Sequence, residues 1–381
     1  MAKLIDITRS LVLTILVFGI LIHELVQGRK ISDTTNKAVI KTIKGDNDEI
    51  IDCYNIFKQP AFDNELLVNQ TIQMRPGSFP EGMQSNLEKF KPAHSWHKYG
   101  TCPEGSVPIR RFGKIYHPKR TLAPNQSQQS NDANSNNEYA VIRLADDNFQ
   151  GVQAVINVWK PVTEPGEISA SQIMIASSDY KEVIVAGWQV NKVLNGDDEP
   201  RFFLYWTVDG FQSTGCYNNL CPGFVQTSTA VTLGSSINPI SVFNGAQYDT
   251  TFLVFREQST GNWWVLVQGV EVGYWPASLF KELSEKATRI ELGGQILNTR
   301  ANGVHTSTQM GSGHLASEGG SGVSSYFYRV QIVDASNKMQ EPQHGTWYQT
   351  NPNCYDVKID ERGGNGFSFH FGGPGLSAIC Q

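Results

Sequence analysis

Apolar residues recur at every second position over several short stretches of this chain, and that period of two restricts its fold more than any other feature. Tyr326 to Val333 reads YFYRVQIV, Phe367 to Phe371 reads FSFHF and Arg201 to Thr207 reads RFFLYWT, with turn clusters rich in Gly, Asn and Asp between such runs. Alternate side chains of a strand point to opposite faces, so each run describes a strand with one face to bury. No alternation of strand and helix patterns marks a doubly wound fold. A large sheet with one apolar face closes its core on a second sheet, which predicts an all-β, antiparallel, jelly-roll-like sandwich with helix in the minority. The 35 Gly, 19 Phe, 13 Tyr and 8 Trp agree with many tight turns and aromatic packing.

A chain of 381 residues can bury more than one core. Pro124 to Asn137 reads PNQSQQSNDANSNN, with a single Ala as its apolar content, and so cannot repay its ordering entropy by burial. The expected organisation is a leader over 1–28, a smaller N-terminal region over 29–123, a disordered linker over 124–137 and the sandwich over 138–381. The leader reading rests on Lys3 and Arg9 before an apolar run from Leu11 to Ile22, then small residues near Gly28. That run is too short for a bilayer core of roughly 30 Å, so a cleaved secretion signal is expected, with secreted, extracellular or vacuolar localisation and no stable membrane association afterwards.

The 6 cysteines favour disulfides in that oxidising route. Their separations suggest Cys53 with Cys102, Cys216 with Cys221, and Cys354 with Cys380. Sequons at Asn69 and Asn125 mark the expected glycosylation sites of a glycoprotein. Net charge is -5, and Lys and Arg are scattered, so no nucleic-acid footprint exists. The basic pairs Arg110-Arg111 and Lys119-Arg120, together with the linker, are the expected places for a processing cut.

The common catalytic signatures fail. There is no G-x-S-x-G elbow, Walker A loop, H-E-x-x-H or dinucleotide fingerprint. The Cys216-x4-Cys221 spacing lacks a second ligand pair, and His94-x2-His97 beside Trp96 reads as structural, so no metal is expected. His305 and His314 bracket HTSTQMGSGH without a spacing that demands a serine–histidine pair.

Longer strings are more specific. AGWQV (Ala186 to Val190), the run from Arg201 to Thr227, TGNWWVLVQGVEVGYWPASLF (Thr260 to Phe280) and HTSTQMGSGH (His305 to His314) closely resemble the neprosin domain. Ile40 to Leu67 and Trp96 to Arg111 resemble the activation segment of the same family, so the likeness covers nearly the whole mature chain. The resemblance implies a secreted glutamic peptidase on an antiparallel sandwich. Two glutamates on its concave face would cut after proline in acid without metal or cofactor, and its partners would be a proline-containing peptide and its own pro-segment. Two crowded carboxylates share a proton, so one acts as base to a water and the other as acid or oxyanion stabiliser.

Carried onto this chain, both glutamate positions are changed. The one immediately before AGW is Val185, and the one closing the WGGE string is Gln295, in Leu292-Gly293-Gly294-Gln295. Gln295 can still donate to an oxyanion, and another glutamic peptidase family pairs a glutamate with a glutamine. Val185 can neither take a proton nor hold a water. Glu182, three residues earlier, should project to the opposite face. Glu291 should share a face with Gln295 if Gly293-Gly294 inserts no bulge, and is the residual carboxylate to consider. Trp188, Tyr205, Trp206, Tyr217, Tyr274 and Trp275 are the candidate groove aromatics, with burial in the core as the competing role.

The expectation is therefore a catalytically impaired, peptide-binding pseudopeptidase. Its alternatives are an active endopeptidase with a rearranged acid pair, and a cell-wall carbohydrate-binding sandwich argued from fold analogy alone.

Overall fold

The computed structural model describes residues 38–46, 49–68, 70–83, 95–112, 137–300, 304–360 and 366–381. The expected leader, both sequon asparagines, His94, Lys119-Arg120 and all of the expected linker except Asn137 lie outside the described residues. The chain divides into two units, Met1–Val39 and Ile40–Gln381. Apart from Val39, the first residue of β1, everything that follows belongs to the second.

Strands are numbered in chain order. A three-stranded sheet joins β1 (Val39–Lys44), β2 (Ile50–Asn55) and β3 (Ser106–Arg110). A seven-stranded sheet runs β17 (Thr346–Gln349), β4 (Asn137–Phe149), β14 (Ala287–Leu297), β6 (Ser169–Ala176), β7 (Val183–Val190), β8 (Arg201–Thr207) and β9 (Cys216–Tyr217). A nine-stranded sheet runs β10 (Val225–Gln226), β13 (Val270–Trp275), β12 (Trp263–Val267), β11 (Asp249–Arg256), β5 (Gly151–Asn157), β15 (Ser325–Val333), β19 (Phe369–Gly372) and β18 (Asp356–Ile359), with β16 (Met339–Gln340) pairing β15. The strand pairings within the two large sheets, and that of β2 with β3, are antiparallel. Among the described residues one short α-helix, α1 (Lys192–Asn195), interrupts them, capped by the Asn191 side chain on the Leu194 amide.

The two large sheets close on each other, as the period-two runs require. Ile290, Leu292 and Ile296 of β14, Ile173 and Ile175 of β6, and Ile184, Ala186, Trp188 and Val190 of β7 share one core with Phe252 and Val254 of β11 and with Phe327 and Phe369. Phe202 meets Phe252 across the sandwich at 5.7 Å between ring centroids. RFFLYWT and YFYRVQIV form β8 and β15 as the alternation predicts. All three disulfides form as their separations suggest, Cys53–Cys102, Cys216–Cys221 and Cys354–Cys380. The C-terminal end of the expected linker needs correction. Asn137 opens β4, paired with Leu297 and buried, because it already takes part in the sheet ladder.

The N-terminal region packs directly onto the sandwich. The Gln59 side chain behaves like a strand edge toward Gln226, donating Nε2 to its carbonyl at 3.0 Å and accepting its amide N–H at 2.8 Å. Glu257 accepts from the Gln73 Nε2 at 2.7 Å and from the Gly77 amide at 2.5 Å. Glu49 lies between two buried guanidinium groups, 3.3 Å from Arg110 Nε and 3.2 Å from Arg201 Nη1. Arg110 is thus paired in β3 and ion-paired, and is held further by Asn195. The Arg110-Arg111 bond is therefore no open loop for a protease, and the dibasic cut expected there is not supported.

Candidate functional site

The seven-stranded sheet turns one face to the core and the other outward, and its register fixes what stands together on the outer face. Directly paired residues share a face. One row runs Glu291, Met174, Val185, Tyr205, Tyr217. The next runs Gly293, Gln172, Gly187, Phe203, and a third runs Gln295, Ala170, Gln189, Arg201. Val185 and Gln295 thus stand on one face, at diagonal corners around Gln172. Both row neighbours of Gln172 lack a side chain. At Gly293, where φ is +143°, an added Cβ would lie 2.3 Å from the Ala140 carbonyl oxygen, so the close approach of β4 requires glycine.

Val185 is fully buried among Met174, Val183, Phe203, Tyr205 and Tyr217. Nothing in that set accepts a proton from water near neutrality. The Gln295 amide is occupied at both ends by neutral groups: its oxygen accepts from Gln172 Nε2 at 2.8 Å, and its nitrogen donates to Asn137 Oδ1 at 2.9 Å. Among the described residues no carboxylate meets that amide.

The strand carries no bulge between Glu291 and Gln295, since the register with both β4 and β6 is continuous there. The two therefore share a face as expected, separated by about 13 Å along the strand. Glu291 is engaged elsewhere. Its Oε1 accepts from the Tyr180 hydroxyl at 2.8 Å and lies 3.1 Å from Arg143 Nε, whose guanidinium covers the Tyr348 ring at 3.5 Å. Burial raises the Glu291 carboxyl above the ordinary range, and Arg143 and Tyr180 oppose that shift without cancelling it. The Tyr180 hydroxyl is pushed up as well, by burial and then by the Glu291 charge. Glu182 faces away from the site, as its spacing predicts, and its two oxygens accept from the Lys281 and Leu283 amides.

Two family models match the chain, Neprosin over residues 165–374 and neprosin activation peptide over residues 39–143. The chain belongs to the neprosin family. Among solved structures it is similar to scytalido-glutamic peptidase with a peptide-based transition-state analogue, at 11% identity and a TM-score of 0.35, covering 62% of this chain and 98% of that one. SCP-B, of the eqolisin family of peptidases, in complex with the tripeptide Ala-Ile-His, matches at 11% identity and a TM-score of 0.34, covering 62% and 98%. CG-16, a homodimeric agglutinin from chicken liver, matches at 10% identity and a TM-score of 0.23, covering 41% and 93%.

Within this neprosin-family chain the candidate aromatics separate by face. Tyr205 and Tyr217 lie on the outer face beside Val185, their rings 4.8 Å apart. Trp188, Trp206 and Trp275 belong to the core between the sheets, while Tyr274, next to Trp275 on β13, faces the other side of its sheet toward the activation segment, so none of the four lines a groove over Val185. Trp188 is anchored there by its indole N–H to the Asn157 carbonyl at 2.9 Å, and the Tyr274 hydroxyl accepts from the Gln73 amide. The reason is strand parity: Trp188 and Trp206 are each an odd number of residues from an outward-facing neighbour, Val185 or Tyr205.

Three residues of the site were missed in the sequence. Gln172 was legible in principle, as the one amide facing outward in a strand of apolar residues. Arg143 and Tyr180 carry no such signal, because their role depends on pairing across β4 and β14 and on a turn. The activation segment also reaches this face, where Phe112 packs against the outer cluster and the Arg110 guanidinium sits 5.1 Å from the Phe112 ring centroid.

The histidines hold structure. His97 binds the Ala230 carbonyl at 2.9 Å, and His314 pairs with Glu318 and stacks on Phe243. His305 is buried against Glu138 at 2.8 Å. His305, Cys354 and Cys380 gather within 4.8 Å, but both sulfurs are in one disulfide and offer no thiolate to a metal. Among the described residues no helix is long and apolar enough to cross a membrane.

Proposed function

We propose that this protein is a secreted pseudopeptidase of the neprosin family, which binds a proline-containing peptide on the outer face of its seven-stranded sheet and does not cut it. One observation carries the reading: the two positions that the family resemblance assigns to the catalytic glutamates hold Val185 in an apolar cluster and Gln295 with both amide ends bound to neutral partners. Hydrolysis of an amide by this chemistry needs an ionised carboxylate in reach of a water, and general acid–base work is worth about 10²–10⁴ in rate. Glu291 is the nearest outward-facing carboxylate in the Val185 row, and Arg143 and Tyr180 already claim it.

Restoration tests the reading. Val185→Glu with Gln295→Glu should gain cleavage of a proline-containing peptide at acid pH, by at least about a hundredfold over the unmodified protein. Turnover by the unmodified protein that disappears in Gln295→Ala or Glu291→Gln would replace the reading with that of a working endopeptidase using a rearranged acid pair.

A further inference from the structure

Where the edge strand β17 of the seven-stranded sheet meets β18 of the nine-stranded sheet lies a cavity of about 690 Å³ that the peptidase-like face does not use. Its size is within the range of pockets that enclose a small organic ligand. Trp347, Tyr328, His370, Lys358, Asp360 and Ser321 line it. Trp347 is 66% exposed, an unusual cost for an indole that could have been buried, and it offers an open aromatic face at the rim.

The floor is held rigid. Tyr326 and Tyr328 stack at 3.8 Å, and His370 pairs with Lys358 across β19 and β18. Ser324 Oγ donates to the Gly319 carbonyl and lies 3.2 Å from His370 Nδ1, so Nδ1 carries the proton and donates to it. Nε2 is then an acceptor, 3.4 Å from the Tyr328 hydroxyl. Burial pushes the His370 imidazole down toward its neutral form.

We propose that this cavity binds a neutral oligosaccharide. A sugar ring presents an apolar C–H face that suits a flat indole, and hydroxyls that both donate and accept. The wall supplies both kinds of partner, an ammonium at Lys358 as donor, a carboxylate at Asp360 as acceptor, and hydroxyls at Ser321 and Tyr328. Lys358 and Asp360 balance in charge, so the cavity has no sign with which to select an anion or a cation. Strand addition by a peptide is disfavoured, because Lys358 is exposed on the edge strand and the Gln349 side chain already donates to the Val357 carbonyl at 3.0 Å.

The test uses the full chain with cellotriose, chitotriose and maltotriose as probes, read by titration calorimetry and by the indole N–H resonance of Trp347. Binding of at least one, with a shift of that resonance, is expected. Trp347→Ala should weaken it by at least about tenfold and Trp347→Phe by less, with unchanged circular dichroism. Lys358→Ala gives a second variant at a surface position, also expected to weaken binding. Val185→Glu with Gln295→Glu should leave the affinity unchanged, which separates this site from the proposed peptide face. Silence with all three sugars, wild-type affinity in Trp347→Ala and Lys358→Ala, or displacement of the sugar by a proline-rich peptide would each overturn the proposal.

Discussion

Glu291 and Val185 stand in one cross-strand row of the outer face with Met174 between them. A carboxylate therefore stands in the row of Val185, separated from it by an apolar side chain and tied to Arg143 and Tyr180. Its Oε1 is committed to holding β14 against β4 and the Tyr180 turn.

Glu291→Gln reports on that commitment. The folded carboxyl is raised by burial, so its ionisation works against the fold. The sign follows: a raised carboxyl contributes its stability while protonated and loses it as pH rises through the folded value. Glutamine mimics the protonated form. The variant should therefore gain on the unmodified protein in thermal midpoint between about pH 4 and about pH 7. A difference that is flat, or that moves the other way, would mean that the Arg143 ion pair outweighs burial.

How far the sequence foretold all this depended on range. Strand parity along one segment was enough to put Glu182 opposite to Val185 and Glu291 on the face of Gln295, the resemblance alone put Val185 and Gln295 on the site face, and a short loop was enough to pair Cys216 with Cys221. What parity could not settle was which face of each strand met the core. Trp188 and Trp206 were for that reason candidates for the groove, although they fill the space between the sheets. Glu291 was placed on the right face, but its engagement by Arg143 and Tyr180 depends on residues 148 and 111 positions away, as the numbering gives. Nothing local announces such partners.

His305 predicts a second pH effect. Burial, the largest single influence, would lower its imidazole, but the adjoining Glu138 carboxylate, the Thr306 carbonyl and the Glu167 charge together raise it above the ordinary 6.5. A raised histidine stabilises fully below its unfolded value and loses that contribution as pH rises through the folded one. His305→Gln should thus cost most in acid, and its deficit in thermal midpoint should shrink between about pH 5.5 and about pH 8.5. The Cys354–Cys380 disulfide beside it is unchanged by the substitution, so redox state is not a confounding variable. A deficit that stays constant across that range would assign His305 a packing role without charge.

Gln59 holds the activation segment to the sandwich in the manner of a missing strand. It exchanges two hydrogen bonds with the Gln226 backbone, while the Gln226 side chain donates to the Pro108 and Val231 carbonyls at 2.9 Å each. Both glutamines are buried, so removing one side chain leaves main-chain groups without water to replace it. A buried polar group left unpaired costs about 1–3 kcal/mol. Gln59→Ala strands one N–H and one carbonyl of Gln226, and the loss falls on the docked segment and not on the sandwich core. Limited proteolysis should then cut within the activation segment at least about tenfold faster, with the large sandwich fragment remaining intact. Gln59→Glu makes the sharper comparison, because it can accept the Gln226 amide but, when ionised, sets a carboxylate against the Gln226 carbonyl. It should resemble Gln59→Ala near neutrality and approach the unmodified protein in acid, where the protonated carboxyl regains a donor. Equal cleavage rates for all three proteins at both pH values would show that the segment is held by its apolar contacts, Ala61 and Leu67 among them, and not by this pair of glutamines.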